Sequence, residues 1–251
     1  MAVATHIRDE ELANIDLDWL KSHDALELLS WTKTNFGERA AIFTSFQNTG
    51  CVTVDLACQS PGVLRVVTVD TLRLPSETYE LMDVIEKHYG ITIERFQPDP
   101  TRLKKMIAQH GEYLFFDSRP KQEYCCSIRK VEPNQRALQT VDVWISGLRR
   151  DQSSHREGVP KATLIQEEGR EILKLNPLAD WTEKQVRDYI AANAVPYNSL
   201  YDKGYTSIGC AICTTPTRPG EHPRAGRWRW FNALEGGHTK ECGIHTAGSG
   251  I

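Results

Sequence analysis

Apolar and polar positions along the chain alternate between two periods. Ala40-Ala41-Ile42-Phe43-Thr44 is a short apolar run, the pattern of a buried strand. Leu64 to Val69 repeats it with β-branched residues, Ile91 to Phe96 gives a third strand and Val141 to Ile145 a fourth. Helical spacing lies between them. Residues 1–35 read as helical, with Ser22-His23-Asp24 capping the run from Ala25 to Trp31. Cys51 to Cys58 follows the first strand as a helix, against the β-branched preference of Val52, Thr53 and Val54. Pro75-Ser76-Glu77-Thr78 opens another, which runs to Tyr89 and stops at Gly90. Trp181 to Ile190 is amphipathic and is assigned no chemistry. Strand and helix alternate, so the expected fold class is α/β, a doubly wound and mainly parallel sheet. In such sheets ligands bind beyond the carboxyl ends of the strands.

Those strand ends carry the polar residues that matter. After the first strand comes Ser45-Phe46-Gln47-Asn48-Thr49-Gly50, a turn at a helix start whose N–H groups suit a phosphate or sulfate. After the second come Asp70 and Thr71, which suit either a ribose or a helix cap. After the fourth, Arg149, Arg150, His155 and Arg156 fall within eight residues. Such a concentration of positive charge is favourable beside an anion, or else is a solvated loop paired with Glu157, Glu167 and Glu168. A second basic cluster, Arg218, Arg224, Arg227 and Arg229, is interleaved with Trp228 and Trp230, a mixture that suits a nucleotide pocket or a protein interface.

The chain has 251 residues, 40% of them apolar, enough for one large domain or two small ones. A net charge of −3 gives no support to a nucleic-acid binder. With no signal-peptide pattern and no apolar run long enough to span a bilayer, the expectation is a cytoplasmic protein without a membrane partner. Seven cysteines, an odd number without secretory context, argue for metal or redox chemistry over disulfides. Cys125-Cys126 and Cys210-x-x-Cys213 form two close pairs. A vicinal pair is unusual around one tetrahedral zinc, whereas a 4Fe–4S cluster spreads its four thiolates over four irons. Lys130, four residues beyond Cys126, is expected near both the cluster and a bound anion. Cys242 sits on a polar, glycine-rich tail, flanked by Lys240 and His245, which favour its thiolate. The tail is expected to be mobile. The division expected is an α/β domain with the iron–sulfur site over 1–217, then an arginine loop and mobile tail over 218–251.

With these motifs in place the chain resembles the assimilatory adenylyl-sulfate reductases, of the family that includes phosphoadenylyl-sulfate reductases. Lys240-Glu241-Cys242-Gly243-Ile244-His245 is similar to that family's Glu-Cys-Gly-(Leu/Ile)-His signature. Cys125-Cys126 with Arg129-Lys130, and Tyr205 to Thr214, are similar to the two halves of its cluster site. Asp70 to Tyr79, Gly147 to Ser153 and Pro223 to Trp228 are similar to its other loops. The first strand-end loop departs: the family usually carries Ser-Phe-(Ser/Gly)-Ala-Glu-Asp there, and this chain has no acidic residue in it. That departure bears on whether the substrate carries a 3′-phosphate.

The resemblance implies an adenine nucleotide alpha hydrolase-like fold, a 4Fe–4S cofactor on the four paired cysteines, a thioredoxin-type dithiol partner and a homo-oligomer. It implies Cys242 as nucleophile, assisted by Lys130 and His245. Substrate contacts would come from Ser45, Phe46, Gln47, Asp70, Thr71, Arg149, Arg150, Arg224 and Arg227. Two rivals stand beside it. An adenylating enzyme of the same fold would carry a Ser-Gly-Gly-x-Asp-Ser loop, which this chain lacks. A four-cysteine zinc module binding nucleic acid through residues 218–230 would be colourless and leave Cys242 without a role.

Overall fold

The computed structural model describes residue 12 and residues 14–59, 62, 64–153 and 156–232. Two helices come first, α1 (Leu17–Ser22) and α2 (Ala25–Phe36). Asp24 starts α2 with a capping box, accepting from the Glu27 amide while Glu27 reaches back to the Asp24 N–H. Then follow β1 (Ala40–Phe43), α3 (Asn48–Gln59), β2 (Arg65–Val69), α4 (Ser76–Tyr89) and β3 (Ile93–Phe96). Helix α5 (Pro100–His110) leads to α6 (Arg119–Cys126), a π-helical turn Ser127–Val131 and α7 (Glu132–Leu138). Strand β4 (Val143–Ser146) precedes a hairpin of β5 (Ala162–Glu167) and β6 (Arg170–Leu175), then α8 (Glu183–Asn193).

The six strands form one sheet in the order β3-β2-β1-β4-β6-β5. All pairs are parallel except β5 with β6. The expected fold class is therefore observed. The chain winds outward from β1 to β3, then returns to β4 on the other side of β1. The topological switch point, where a crevice opens, falls between β1 and β4.

The main core lies between the sheet and α2, α3, α4 and α8, and includes Leu28, Val52, Val54, Met82, Ile145, Leu173 and Val186. Helix α3 forms despite its β-branched residues because it is buried along nearly its whole length, from Asn48 to Ala57. Apolar burial, worth about 1.5–3 kcal/mol for a large side chain, outweighs intrinsic preferences of a few tenths. The opposite face, with Ala41, Val67, Leu138, Trp144 and Ile172, forms a smaller core. The β5–β6 hairpin was not anticipated. Glu168 and Gly169 both take left-handed φ values, 48° and 79°, as a tight hairpin turn requires. A glutamate is a weak sequence signal for that conformation.

Candidate active site

A cleft of about 1220 Å³ opens at the switch point, over the carboxyl ends of the parallel strands. Its lining includes Ser45 and Gln47 after β1, Thr71 after β2, Arg149 after β4, and Lys130, Cys210, Arg224 and Arg227. A much smaller cavity adjoins it, lined by Cys125, Cys126, Cys210 and Cys213 together with Arg73, Arg129, Lys130 and Trp228. Lys130 and Cys210 line both spaces. The two cysteine pairs, far apart in sequence, thus meet in one place, and none of the four is in a disulfide.

Local structure explains the meeting. Cys125 and Cys126 close α6, and the π-helical turn that follows carries Arg129 and Lys130, both buried. Such turns are rare and concentrate at functional sites. The Asp70-to-Arg73 loop braces the other pair: the Cys210 thiol donates to the Thr71 hydroxyl at 3.4 Å, and the Ala211 amide donates to the Arg73 carbonyl at 2.8 Å. Arg129 donates to the Thr71 carbonyl at 2.8 Å. From the far side, the Trp228 amide donates to the Cys213 carbonyl at 3.1 Å, and Thr214 bridges to Arg227. A Cβ at Gly209 would overlap the Arg227 guanidinium as it is placed, so a side chain there would displace it.

The thiols feel this setting unequally. Burial opposes ionisation of Cys210, yet Lys130, the Thr71 hydroxyl, Arg227 and Arg129 outweigh it and hold the thiol below its ordinary pKa. Burial pushes Cys213 up to about 12, and Cys210 beside it adds to the rise. Cys125 is also raised by burial, against the pull of Arg129 and Arg73. Among the described residues, no three His, Cys, Asp or Glu side chains form a group suited to a single metal ion. The donor set of four thiols, with three cationic side chains facing it and a buried Arg129 Nε that meets no acceptor among the described residues, fits an anionic iron–sulfur group.

Other expected site residues are placed differently. Phe46 is fully buried beneath the cleft, at φ 54°, and Asp70 is spent on the Leu72 amide, the Tyr79 hydroxyl and the Gln97 amide. Arg150 donates to the Val159 carbonyl. None of the three lines the cleft. Arg149 lines it, but its guanidinium already holds Asp151 at 2.9 Å, Glu183 at 2.6 Å and the Thr49 hydroxyl. For Arg149 the carboxylate partners are thus Asp151 and Glu183 in place of Glu157, Glu167 or Glu168. Arg229 turns to Glu221. Cys242 and His245 lie outside the described residues, as does the rest of the tail beyond 232.

Sequence reasoning missed two groups. Arg73 faces the cysteines with its guanidinium over the Phe115 ring at 5.0 Å, while donating to the Glu112 carbonyl. Helix α8, which the pattern assigns no chemistry, supplies Glu183, Arg187 and Ile190 to the cleft wall, and the segment after it adds Val195 and Tyr201.

A family model described as the phosphoadenosine phosphosulfate reductase domain matches residues 39–216. The chain belongs to that family. It is 46% identical over 182 residues to an adenosine 5′-phosphosulfate reductase of Allochromatium vinosum, covering 72% of this chain and 69% of the relative. With the enzyme of that name from Neisseria meningitidis serogroup A it shares 43% identity, over 77% of this chain and 78% of the relative. Among solved structures, a phosphoadenylyl-sulfate reductase from Candida auris in complex with phosphate superposes with TM-score 0.68 at 29% identity, over 84% of this chain and 99% of the other. An FMN adenylyltransferase from Candida glabrata superposes with TM-score 0.54 at 13% identity, over 99% of this chain and 82% of the other, a likeness of fold alone.

Proposed function

We propose that this chain reduces adenylyl sulfate to sulfite and AMP in assimilatory sulfate reduction, with electrons from a thioredoxin-type dithiol. The observation that carries the reading is the shared wall: Lys130 and Cys210 border both the four-cysteine cavity and the nucleotide-sized cleft. Relatives over most of the chain bear the name adenosine 5′-phosphosulfate reductase.

In this reading Cys125, Cys126, Cys210 and Cys213 would hold a 4Fe–4S cluster, which would tie the two pairs to one another and shape the field at the shared wall. Every other step belongs to the chain. The Cys242 thiolate attacks the sulfur of the bound nucleotide. The S–O bond to the phosphate breaks, AMP leaves with that electron pair, and the sulfonate stays on Cys242 as a thiosulfonate. Lys130, Arg224, Arg227 and His245 offset the charge of the sulfonate and of the departing phosphate. Arg149, already paired with carboxylates, orders the β1 and β4 loops beside them. A thiolate of the partner then attacks the Cys242 sulfur and expels sulfite. The partner's second thiol resolves the mixed disulfide, so two electrons pass from dithiol to sulfur. A nucleophile on a tail past the arginine loop meets substrate and partner in turn. We place the reaction in the cytoplasm; no described helix is long and apolar enough to cross a membrane.

The test is sulfite release by anaerobically purified full-length chain given thioredoxin and either adenylyl sulfate or its 3′-phosphorylated form. Turnover of adenylyl sulfate, abolished in Cys242→Ser, is the expected result. Comparable rates with the phosphorylated substrate make the enzyme dual-substrate. No sulfite from either, or full activity in the serine variant, overturns the reading.

A further inference from the structure

The cleft reaches past the strand ends onto the second face of the sheet, where Phe43, Val67 and Trp144 line it. Helix α7 covers that face and packs Ala137 and Leu138 into the smaller core. A helix laid on an apolar floor buries an apolar stripe. Asn134, one turn before Leu138, interrupts the stripe. It is 5% exposed, it borders the cleft, and its carboxamide makes no hydrogen bond among the described residues. Asparagine is a weaker helix former than leucine, and a buried amide without a partner is costly. Helix formation and packing thus both favour leucine at 134. A polar group kept against both is expected where a ligand supplies its partner.

Position limits what that partner is. Asn134 lies four residues beyond Lys130, on the next turn, and both border the cleft. Arg156 borders it as well, while the α4 side is lined by the apolar Leu74, Leu81 and Val84. A sulfonucleotide therefore sets its base toward α4 and its sulfonate toward Lys130 and α7. The sulfonate oxygens are acceptors with no proton to give, so they take an N–H from the carboxamide nitrogen. A cation in this place would attract the phosphate of AMP as readily as the sulfonate. A single neutral N–H set beside the sulfonate loses its partner once that group is gone.

We infer that Asn134 is a specificity-determining residue whose side-chain N–H donates to a sulfonate oxygen of the bound nucleotide and so separates substrate from the product AMP. This assignment rests on the sulfonucleotide reading and deepens it.

Calorimetric binding of adenylyl sulfate and of AMP, to anaerobically purified full-length Cys242→Ser protein with and without Asn134→Leu, tests it without turnover. Asn134→Leu is expected to weaken adenylyl sulfate about ten- to a hundredfold, the worth of one hydrogen bond to a charged group, and to change AMP affinity by less than about twofold. The same variant is expected to melt a few degrees higher, because leucine completes the apolar stripe. Equal losses for both nucleotides, or unaltered binding of adenylyl sulfate, overturns the assignment and leaves the reductase reading intact. A lower Tm does so too, since it would make the amide a support of the fold. Asn134→Asp keeps the shape but replaces the donor with a negative charge. It is expected to bind adenylyl sulfate more weakly than the leucine variant, and equal or tighter binding overturns the assignment. If the protein with Asn134 intact fails to bind adenylyl sulfate at millimolar concentration, the sulfonucleotide reading falls as well.

Discussion

The two adjoining cavities solve the problem of buried positive charge in opposite ways. In the open cleft one buried cation is balanced before any ligand arrives: Arg149, 3% exposed, holds Asp151 and Glu183. Around the cysteines, Arg129 and Lys130 face thiols, which carry charge only when ionised. Burial resists that ionisation at Cys125 and Cys213, whereas Cys210, at the shared wall, is held below its ordinary pKa. A pre-paired arginine orders a loop. In the proposed reading, a metal that deprotonates these thiols would supply the negative charge that the cations around them face.

The largest break in that contrast is removal of one thiol. Cys213→Ser is expected to lose the iron and the brown absorbance of anaerobically purified protein and to cut sulfite release at least about a thousandfold, since hydroxyl oxygen is a poor iron ligand. Full iron content in the variant would refute the assignment of Cys213. Next is Lys130, the cation common to both spaces. Lys130→Met is expected to lower kcat/KM about a hundredfold, the scale of one removed charge-stabilising group, with iron content retained. A variant with unaltered turnover would show that the shared wall carries no chemistry.

A smaller effect sharpens the cleft side. Glu183 is partly exposed, so its pair with Arg149 is worth well under 1 kcal/mol after screening. Glu183→Gln frees part of the guanidinium, and AMP is expected to bind about two- to fivefold more tightly. Weaker binding would mean that Glu183 holds Arg149 in place instead of competing with the ligand for it.

Much of this arrangement is legible in the sequence. The four parallel strands follow apolar runs, and two close cysteine pairs in an odd-cysteine chain announce a common site. The partners of Arg149 do not show, because Asp151 and Glu183 are brought together by α8 docking on the β4 loop, a contact across more than thirty residues. Arg73 is hidden for a related reason. Its neighbours in sequence suggest a nucleotide loop, whereas that loop's hydroxyl and carbonyls are used to brace Cys210, Ala211 and Arg129.

Stability, and not turnover or binding, registers a third way of burying a cation. Lys174 on β6 is 1% exposed, with its ammonium 4.4 Å from the ring centre of Trp144, a residue of the cleft floor. Burial, with Arg156 adding to it, pushes its pKa down to about 7 from 10.5, and Glu167 only partly opposes the fall. Between those two values the unfolded chain binds the proton and the folded chain does not, so this group makes stability rise with pH across that window. Below about 7 both states are protonated and the folded protein bears the whole cost of a buried ammonium. Lys174→Met, similar in length and uncharged, is therefore expected to raise Tm at pH 6 by a few degrees, roughly 1–2 kcal/mol, and to shrink the gain toward zero by pH 10. Melting curves of both proteins across that range decide it. A variant less stable at pH 6 would mean that the Trp144 ring offsets the burial of the charge, and that this part of the sheet, like the Arg149 loop, carries its cation already paired.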